Sequence, residues 1–101
     1  HELLERGSYK AIVALHSCRR CGGVNNYDGP ARRFADDMAK HNGYTVTGEW
    51  SQPTPGSFGT FAGKLRKIPT LTLEMPRGML PAGIATNVAA IEAVVRAASK
   101  P

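Results

Sequence analysis

The segment Lys67-Ile-Pro-Thr-Leu-Thr-Leu-Glu74 constrains the fold of this chain more than any other stretch. Ile68, Leu71 and Leu73 are apolar, and the threonines between them are β-branched. Such a run predicts a buried strand of about 5–8 residues. Ligands in open α/β sheets bind beyond the carboxyl ends of the strands, so Glu74 is expected where chemistry usually takes place. Taken alone, it is more simply the first solvated residue after a strand.

A second predicted strand ends with a polar residue in the same way. Lys10–Leu15 is an almost continuous apolar run, typical of a strand covered on both faces, and His16 follows it directly. If the two strands are parallel, His16 and Glu74 lie on one rim of the sheet. A neutral imidazole is a common zinc ligand, and a nearby carboxylate can take a proton from metal-bound water. The pair is therefore predicted either as a catalytic site or as two structural side chains.

The composition limits the classes of protein to consider. The chain has 101 residues, 42% of them hydrophobic and 21% charged, which is typical of one globular domain. The net charge is +5, but the basic residues are scattered and not interleaved with aromatic ones, so nucleic acid is not an expected partner. A basic rim would also suit a small acidic substrate. No apolar run reaches the length of a membrane span, so no membrane partner is expected.

The pattern of apolar residues and breakers predicts three strands alternating with three helices. The strands are expected at 10–15, 44–47 and 67–74, and the helices at 31–41, about 58–65 and about 86–99. Ser17–Pro30 is rich in Gly, Asn and Pro and is predicted to be a loop. The last helix is expected to bury one stripe made of Val88, Ile91, Val94 and Val95. This order predicts an α/β fold, a three-layer mixed or parallel sheet with flanking helices.

Three strands leave the edges of such a sheet open. The first and third predicted strands are too apolar to tolerate an exposed edge, so either neighbouring chains cover them or the natural domain is longer. The chain also begins with His1 rather than Met. We therefore expect a fragment of a domain, or a homo-oligomer formed through exposed sheet edges. Two cysteines leave the cellular compartment open.

Four segments besides His16 carry a recognisable pattern. They are Asn26–Ala31 (NYDGPA), His41–Tyr44 (HNGY), Pro53–Thr60 (PTPGSFGT) and Ile68–Pro76 (IPTLTLEMP). In their order and spacing they resemble the zinc carboxypeptidase family, and most of all its murein peptide amidase-like branch. The resemblance covers the chain from about Tyr9 to the last helix.

This resemblance implies a partial zinc-carboxypeptidase-like fold, the C-terminal portion of a catalytic domain with zinc as cofactor and a peptide or amide as substrate. In that branch the substrate is a cell-wall peptide. His16 would be a zinc ligand, and Glu74 the general base that activates water and carries the proton to the leaving amine. The residues expected to contact substrate are Asn26, Asp28, Ser57 and Phe58 in two pocket loops, with Arg19 and Arg20 as contacts for a substrate carboxylate.

The chain also departs from the family pattern. The His-x-x-Glu motif that supplies the other two zinc ligands is absent from it, as is the arginine that polarises the substrate carbonyl. Gln52 stands where relatives often carry a pocket tyrosine, and the segment Cys18–Gly23 is longer than the branch predicts. A catalytic zinc needs three protein ligands, so the chain alone is expected to be inactive.

Three other interpretations remain open from the sequence. Cys18-Arg-Arg-Cys21 after a strand, together with Ile68–Thr70, resembles a thioredoxin-like dithiol domain, although a Gly-rich loop follows where that family has a helix. A small zinc knuckle from His16 and the two cysteines lacks a second ligand pair. A non-catalytic assembly module would share every residue named above.

Overall fold

The computed structural model describes residues 10–18, 22–48 and 67–99. Their elements are, in chain order, β1 (Ile12–Cys18), β2 (Val24–Asp28), α1 (Arg32–Asn42), β3 (Thr45–Thr47), β4 (Thr70–Pro76) and α2 (Pro81–Ala98). The predicted α/β class is confirmed as a mixed four-stranded sheet with two helices. The helix predicted at 58–65 lies outside the described residues.

The last strand along the chain lies inside the sheet. The strand order is β1-β4-β2-β3, with β4 parallel to β1 and antiparallel to β2, and β2 parallel to β3. Ile12 pairs with Thr70 at one end of β1, and Cys18 pairs with Pro76 at the other. The two strands that carry His16 and Glu74 are therefore parallel neighbours. This is the condition under which the two side chains lie on one rim of the sheet.

Both described helices pack on one face of the sheet. Side chains alternate along β4, and Leu71 and Leu73 point to the face that the helices cover. The fully buried cluster on this face contains Ala31, Phe34, Ala35 and Met38 from α1 and its N-cap, Leu71 and Leu73 from β4, and Ala90 and Val94 from α2. A third layer on the opposite face is not formed by any described helix.

The segment between His16 and α1 is predicted to be a loop, and this prediction is wrong for Val24–Asp28, which form the strand β2. Asn and Asp are poor strand formers, so the composition of Val24–Asp28 indicated a loop. The structure places Asn25 and Asn26 fully buried in a strand, because each finds a side-chain partner: Asn25 pairs with Asn42, and Asn26 accepts from Thr47. Tertiary contacts here override the local preference.

The helix α1 agrees with the prediction. Its buried residues Phe34, Ala35 and Met38 form one stripe. Gly43 ends the helix in the left-handed conformation, with φ 69°, and donates its N–H to Ala39 O at 2.9 Å. This is the glycine stop expected from the Asn-Gly pair.

The helix α2 differs from the prediction at its start and in its buried stripe. It begins at Pro81, which suits the first helical turn because proline lacks an N–H. Val94 is buried, but Val88 and Val95 are 46% and 59% exposed, so the predicted stripe is wrong for these two. Small residues, Ala90 and Ala93, face inward instead and allow close packing on the core. Neither described helix is long and apolar enough to cross a membrane.

Candidate functional site

His16 and Glu74 are direct neighbours across β1 and β4. They are register partners on the same face of the sheet, and His16 Nδ1 lies 3.4 Å from Glu74 Oε1. Both strands continue past the pair, to Cys18 and Pro76. The pair therefore lies within the carboxyl-terminal end of the sheet, and not beyond it as predicted, because the pairing of Ser17 with Met75 extends both strands.

The two side chains of this pair differ in exposure. The His16 side chain is 58% exposed, and that of Glu74 is 11% exposed. The reason is their place in the sheet, since β1 is an edge strand among the described elements and β4 lies between two others. The result is a sheltered carboxylate beside an imidazole that a ligand can reach from solvent.

Two glycines fix the main chain around Glu74. Gly23, with φ 88°, donates its N–H to Glu74 O at 2.8 Å. A Cβ added to Gly22 would lie 2.5 Å from Pro76 Cα, closer than real Cβ contacts allow. Only glycine fits at this approach, so the segment before β2 holds the end of β4 in place. Both glycines fall in the segment predicted to be a loop, and the adjacent Gly-Gly is the sequence signal of a close backbone approach.

A row of polar side chains continues on the same face beyond Glu74. Asn26 is fully buried, Asp28 is 5% exposed, and Asn26 Nδ2 lies 3.5 Å from Asp28 Oδ2. Thr47 Oγ1 donates to Asn26 Oδ1 at 2.9 Å. Asn26 and Asp28 pair in register with Thr72 and Thr70, one and two side chains away from Glu74 along that face. The structure places them on β2, the strand next to β4, rather than in a pocket loop. Their contact with substrate stays a prediction.

The other predicted contact residues are not described by the structure. Arg19, Arg20, Ser57 and Phe58 lie outside the described residues, and so do Gln52 and Cys21. Of the predicted site, the structure therefore brings together His16 and Glu74, with Asn26 and Asp28 on the same face.

The contact between the two side chains is longer than a strong hydrogen bond. Strong hydrogen bonds between nitrogen and oxygen are about 2.7–3.2 Å long, and the His16–Glu74 distance of 3.4 Å exceeds this range. The hydrogen bond between the carboxylate and the ring is therefore weak at this distance. A carboxylate and an imidazole side by side are residue types that commonly act in acid–base chemistry.

The described residues do not complete a zinc site. A catalytic zinc takes three protein ligands and keeps one open position. Ranges 10–18, 22–48 and 67–99 contain no group of three His, Cys, Asp or Glu side chains that could hold a metal ion. His41 lies on the exposed end of α1 and is not part of the pair. Within this part of the chain, the His16 imidazole can supply no more than one ligand to a zinc ion.

The arrangement around Cys18 does not favour the thioredoxin-like interpretation. Such a domain has a helix N-terminus at its dithiol, which lowers the pKa of the first thiol. Here β1 continues through Cys18, β2 is the next described element, and α1 begins only at Arg32.

Comparison of the chain with protein-family models finds no match, and comparison with curated proteins also finds none.

Proposed function

We propose that this chain is the C-terminal portion of the catalytic domain of a zinc-dependent carboxypeptidase or amidase. The reaction is the hydrolysis of a peptide or amide bond, such as one in a cell-wall peptide. His16 is the metal ligand contributed by this portion, and Glu74 is the general base. Zinc, when bound, polarises the carbonyl and lowers the pKa of its water.

The observation that supports this proposal most directly is the register pairing of His16 with Glu74. Both residues come near the carboxyl end of an apolar strand, and the two strands are parallel neighbours. Ligand sites of open α/β sheets occur at this end. The sheltered carboxylate and the reachable imidazole suit a base and a metal ligand, in that order.

Glu74 accepts the proton of the attacking water and delivers it to the leaving nitrogen. The hydrogen bond from Gly23 to Glu74 O and the place of β4 between two strands fix the main chain that carries this carboxylate. Its low exposure limits its contact with bulk water.

The residues at 10–18, 22–48 and 67–99 do not complete this zinc site, so the remaining ligands have to come from outside these ranges. Among the described strands β1 lies at the edge of the sheet, and the His16 side chain is well exposed there. A part of the protein that supplies the remaining ligands therefore has to lie beside His16.

Zinc titration by calorimetry tests the ligand role of His16. The wild-type chain is expected to bind zinc weakly, and His16→Ala should weaken this binding further while His41→Ala, on the exposed end of α1, should not. Tight binding that is abolished by the double variant Cys18→Ser, Cys21→Ser and unaffected by His16→Ala would overturn the proposal in favour of a thiolate site.

Hydrolysis of a muropeptide is then assayed on the longest form of the protein that its gene encodes, with zinc added. Glu74→Gln should abolish hydrolysis and leave zinc affinity unchanged, whereas His16→Ala should reduce both. Full hydrolysis in Glu74→Gln would show that this carboxylate is not the base.

A non-catalytic assembly module is the second candidate, and exposed apolar residues favour it. Leu15 on β1 is 55% exposed, and Val88 and Val95 on α2 are similarly exposed. Apolar surface next to an edge strand is typical of a surface that pairs with another chain. Light scattering of the chain separates the two functions, because a stable homo-oligomer without zinc affinity or hydrolysis supports assembly alone.

A further inference from the structure

The C-terminal end of α1 combines a reactive sequence with a buried polar network. Asn42 is the last residue of α1 and Gly43 follows it. Asparagine followed by glycine is the pair most prone to lose its side-chain amide, because glycine carries no side chain to hinder attack by its own nitrogen. We propose that Asn42 is a deamidation site that the native fold suppresses and that opening of the end of α1 releases.

Asn42 joins one strand and both helices through its side-chain amide. Its Nδ2 donates to Asn25 Oδ1 at 2.8 Å on β2 and to Asn87 Oδ1 at 3.1 Å on α2. Its Oδ1 accepts from Asn25 Nδ2 at 3.0 Å and from the N–H of Tyr44 at 3.0 Å. All of these hydrogen bonds are made by the side-chain amide of Asn42, and this is the group that deamidation changes.

The reaction requires two groups that the fold engages in other hydrogen bonds. The main-chain nitrogen of Gly43 must lose its proton and turn toward Cγ of Asn42. In the structure that nitrogen donates to Ala39 O at 2.9 Å as the cap of α1. The side-chain amide is held at both ends by Asn25, Asn87 and Tyr44. The attack therefore needs the last turn of α1 to open first.

Water can nevertheless reach this end of the helix, since Gly43 is exposed and Asn42 is only half-buried. Opening needs no disruption of the main core, which consists of residues further along α1 such as Phe34 and Met38. Helix ends open with much smaller free energies than whole domains. The site is thus reactive in a partly opened state and protected in the closed one.

The chemistry consumes one water and releases one ammonia. The deprotonated nitrogen of Gly43 forms a bond to Cγ of Asn42, the Cγ–Nδ2 bond breaks, and Nδ2 leaves as ammonia with a proton taken from water. Water then opens the resulting succinimide ring at one of its two carbonyls. The product is aspartate or isoaspartate at position 42.

The product cannot rebuild the network. A carboxylate accepts hydrogen bonds and donates none. It would place an oxygen where Nδ2 now faces Asn25 Oδ1 and Asn87 Oδ1, so acceptors would face acceptors. Isoaspartate would in addition lengthen the main chain at the helix cap. Deamidation of Asn42 therefore weakens the contacts of α1 with β2 and α2. The product in turn favours the opened state in which the reaction takes place.

Peptide mapping by mass spectrometry tests the proposal. The chain is incubated at mildly alkaline pH in native buffer and, in parallel, in urea. In urea Asn42 should deamidate faster than Asn25, Asn26 and Asn87, none of which precedes glycine. In native buffer the rate at Asn42 should fall about tenfold or more, because the reaction then waits for opening.

A matched variant separates the role of glycine from the role of the fold. Gly43→Ala should lower the urea rate at Asn42 to that of the other asparagines, and it is compared in urea alone because the left-handed φ of 69° strains an alanine in the folded chain. Equal rates at Asn42 in native buffer and in urea would overturn the protection by the fold. A urea rate no higher than that of the three control asparagines would overturn the site itself.

Discussion

The two faces of β4 are built by different kinds of interaction. On the helix face, Leu71 and Leu73 are fully buried against apolar residues of α1 and α2. On the opposite face, Thr70 and Glu74 are buried on the same strand, beside a row that contains Asn26 and Asp28. One strand thus contributes to an apolar core on one side and to a buried polar row with the candidate site on the other.

The helix face is expected to contribute more to stability, whereas the opposite face contains the candidate site. Apolar packing tolerates exchange among side chains of similar size, since its attraction is not directional. A buried polar side chain needs a specific partner at a specific place, because an unsatisfied group costs about 1–3 kcal/mol. On the second face Asn26 has such partners in Thr47 and Asp28, and variants on the two faces should behave differently.

The largest effect is expected on the helix face. Leu71→Ala removes a fully buried side chain and should lower the free energy of unfolding by about 2–5 kcal/mol. Urea denaturation measures this value. Leu15→Ala is the control, because this leucine is 55% exposed, and its loss should stay within about 0.5 kcal/mol. Equal losses at both positions would contradict the assignment of the core to the face with Leu71.

Gly22→Ala should be the most damaging variant beside the polar face. The added Cβ would lie 2.5 Å from Pro76 Cα, and relief of such overpacking costs about 1–3 kcal/mol. Thermal unfolding followed by circular dichroism measures the loss. Gly83→Ala is the matched control, since its Cβ would make only ordinary contacts at 3.8 Å with Met79, and it should not destabilise the chain. A tolerated alanine at position 22 would show that the close approach is not required.

Asn26→Ala should cost about 1–2 kcal/mol, because it leaves the Thr47 hydroxyl without its acceptor on the polar face. A double-mutant cycle with Thr47→Val, measured by urea denaturation, isolates the coupling of the two side chains. We expect the double variant to lose less than the sum of the single losses. Strict additivity would mean that this hydrogen bond does not contribute to stability.

Glu74→Gln should have the smallest effect on the free energy of unfolding and the largest effect on the rate of hydrolysis. The His16–Glu74 pair has one well-exposed partner, so the free energy of unfolding should change by about 1 kcal/mol or less. If Glu74 is a general base, hydrolysis by the longest natural form should fall about 10²–10⁴-fold. Steady-state rates beside a denaturation curve test both parts. A loss of stability comparable to that of Leu71→Ala would assign Glu74 to the fold instead.

The elements that follow local rules could be predicted from the sequence. The α1 stripe of Phe34, Ala35 and Met38 repeats with the helical period, and Gly43 supplies the stop. The neighbouring positions of His16 and Glu74 followed from two apolar strands that end alike, given that the strands are parallel. In each case the signal lies within a few residues along the chain.

The elements that depend on tertiary partners could not be predicted in this way. The strand β2 is stabilised by Asn42 and Thr47, which lie far from it in sequence, while its own composition indicates a loop. The helix α2 carries apolar residues on two sides, so periodicity alone could not tell which side is buried. The small alanines determine the buried side, because they permit a close approach of α2 to the core that the larger Val88 and Val95 would prevent.

The position of β4 between β1 and β2 also determines when this part of the protein can fold during synthesis. While a ribosome is still adding residues before Thr70, β2 and β3 can already pair, but β1 has no described strand beside it. Only the arrival of β4 joins the two pieces, and contacts between residues as distant as Ile12 and Thr70 form slowly. Among the described strands, β1 therefore stays without its partner while residues 19–69 are added, and its pairing waits for the synthesis of β4.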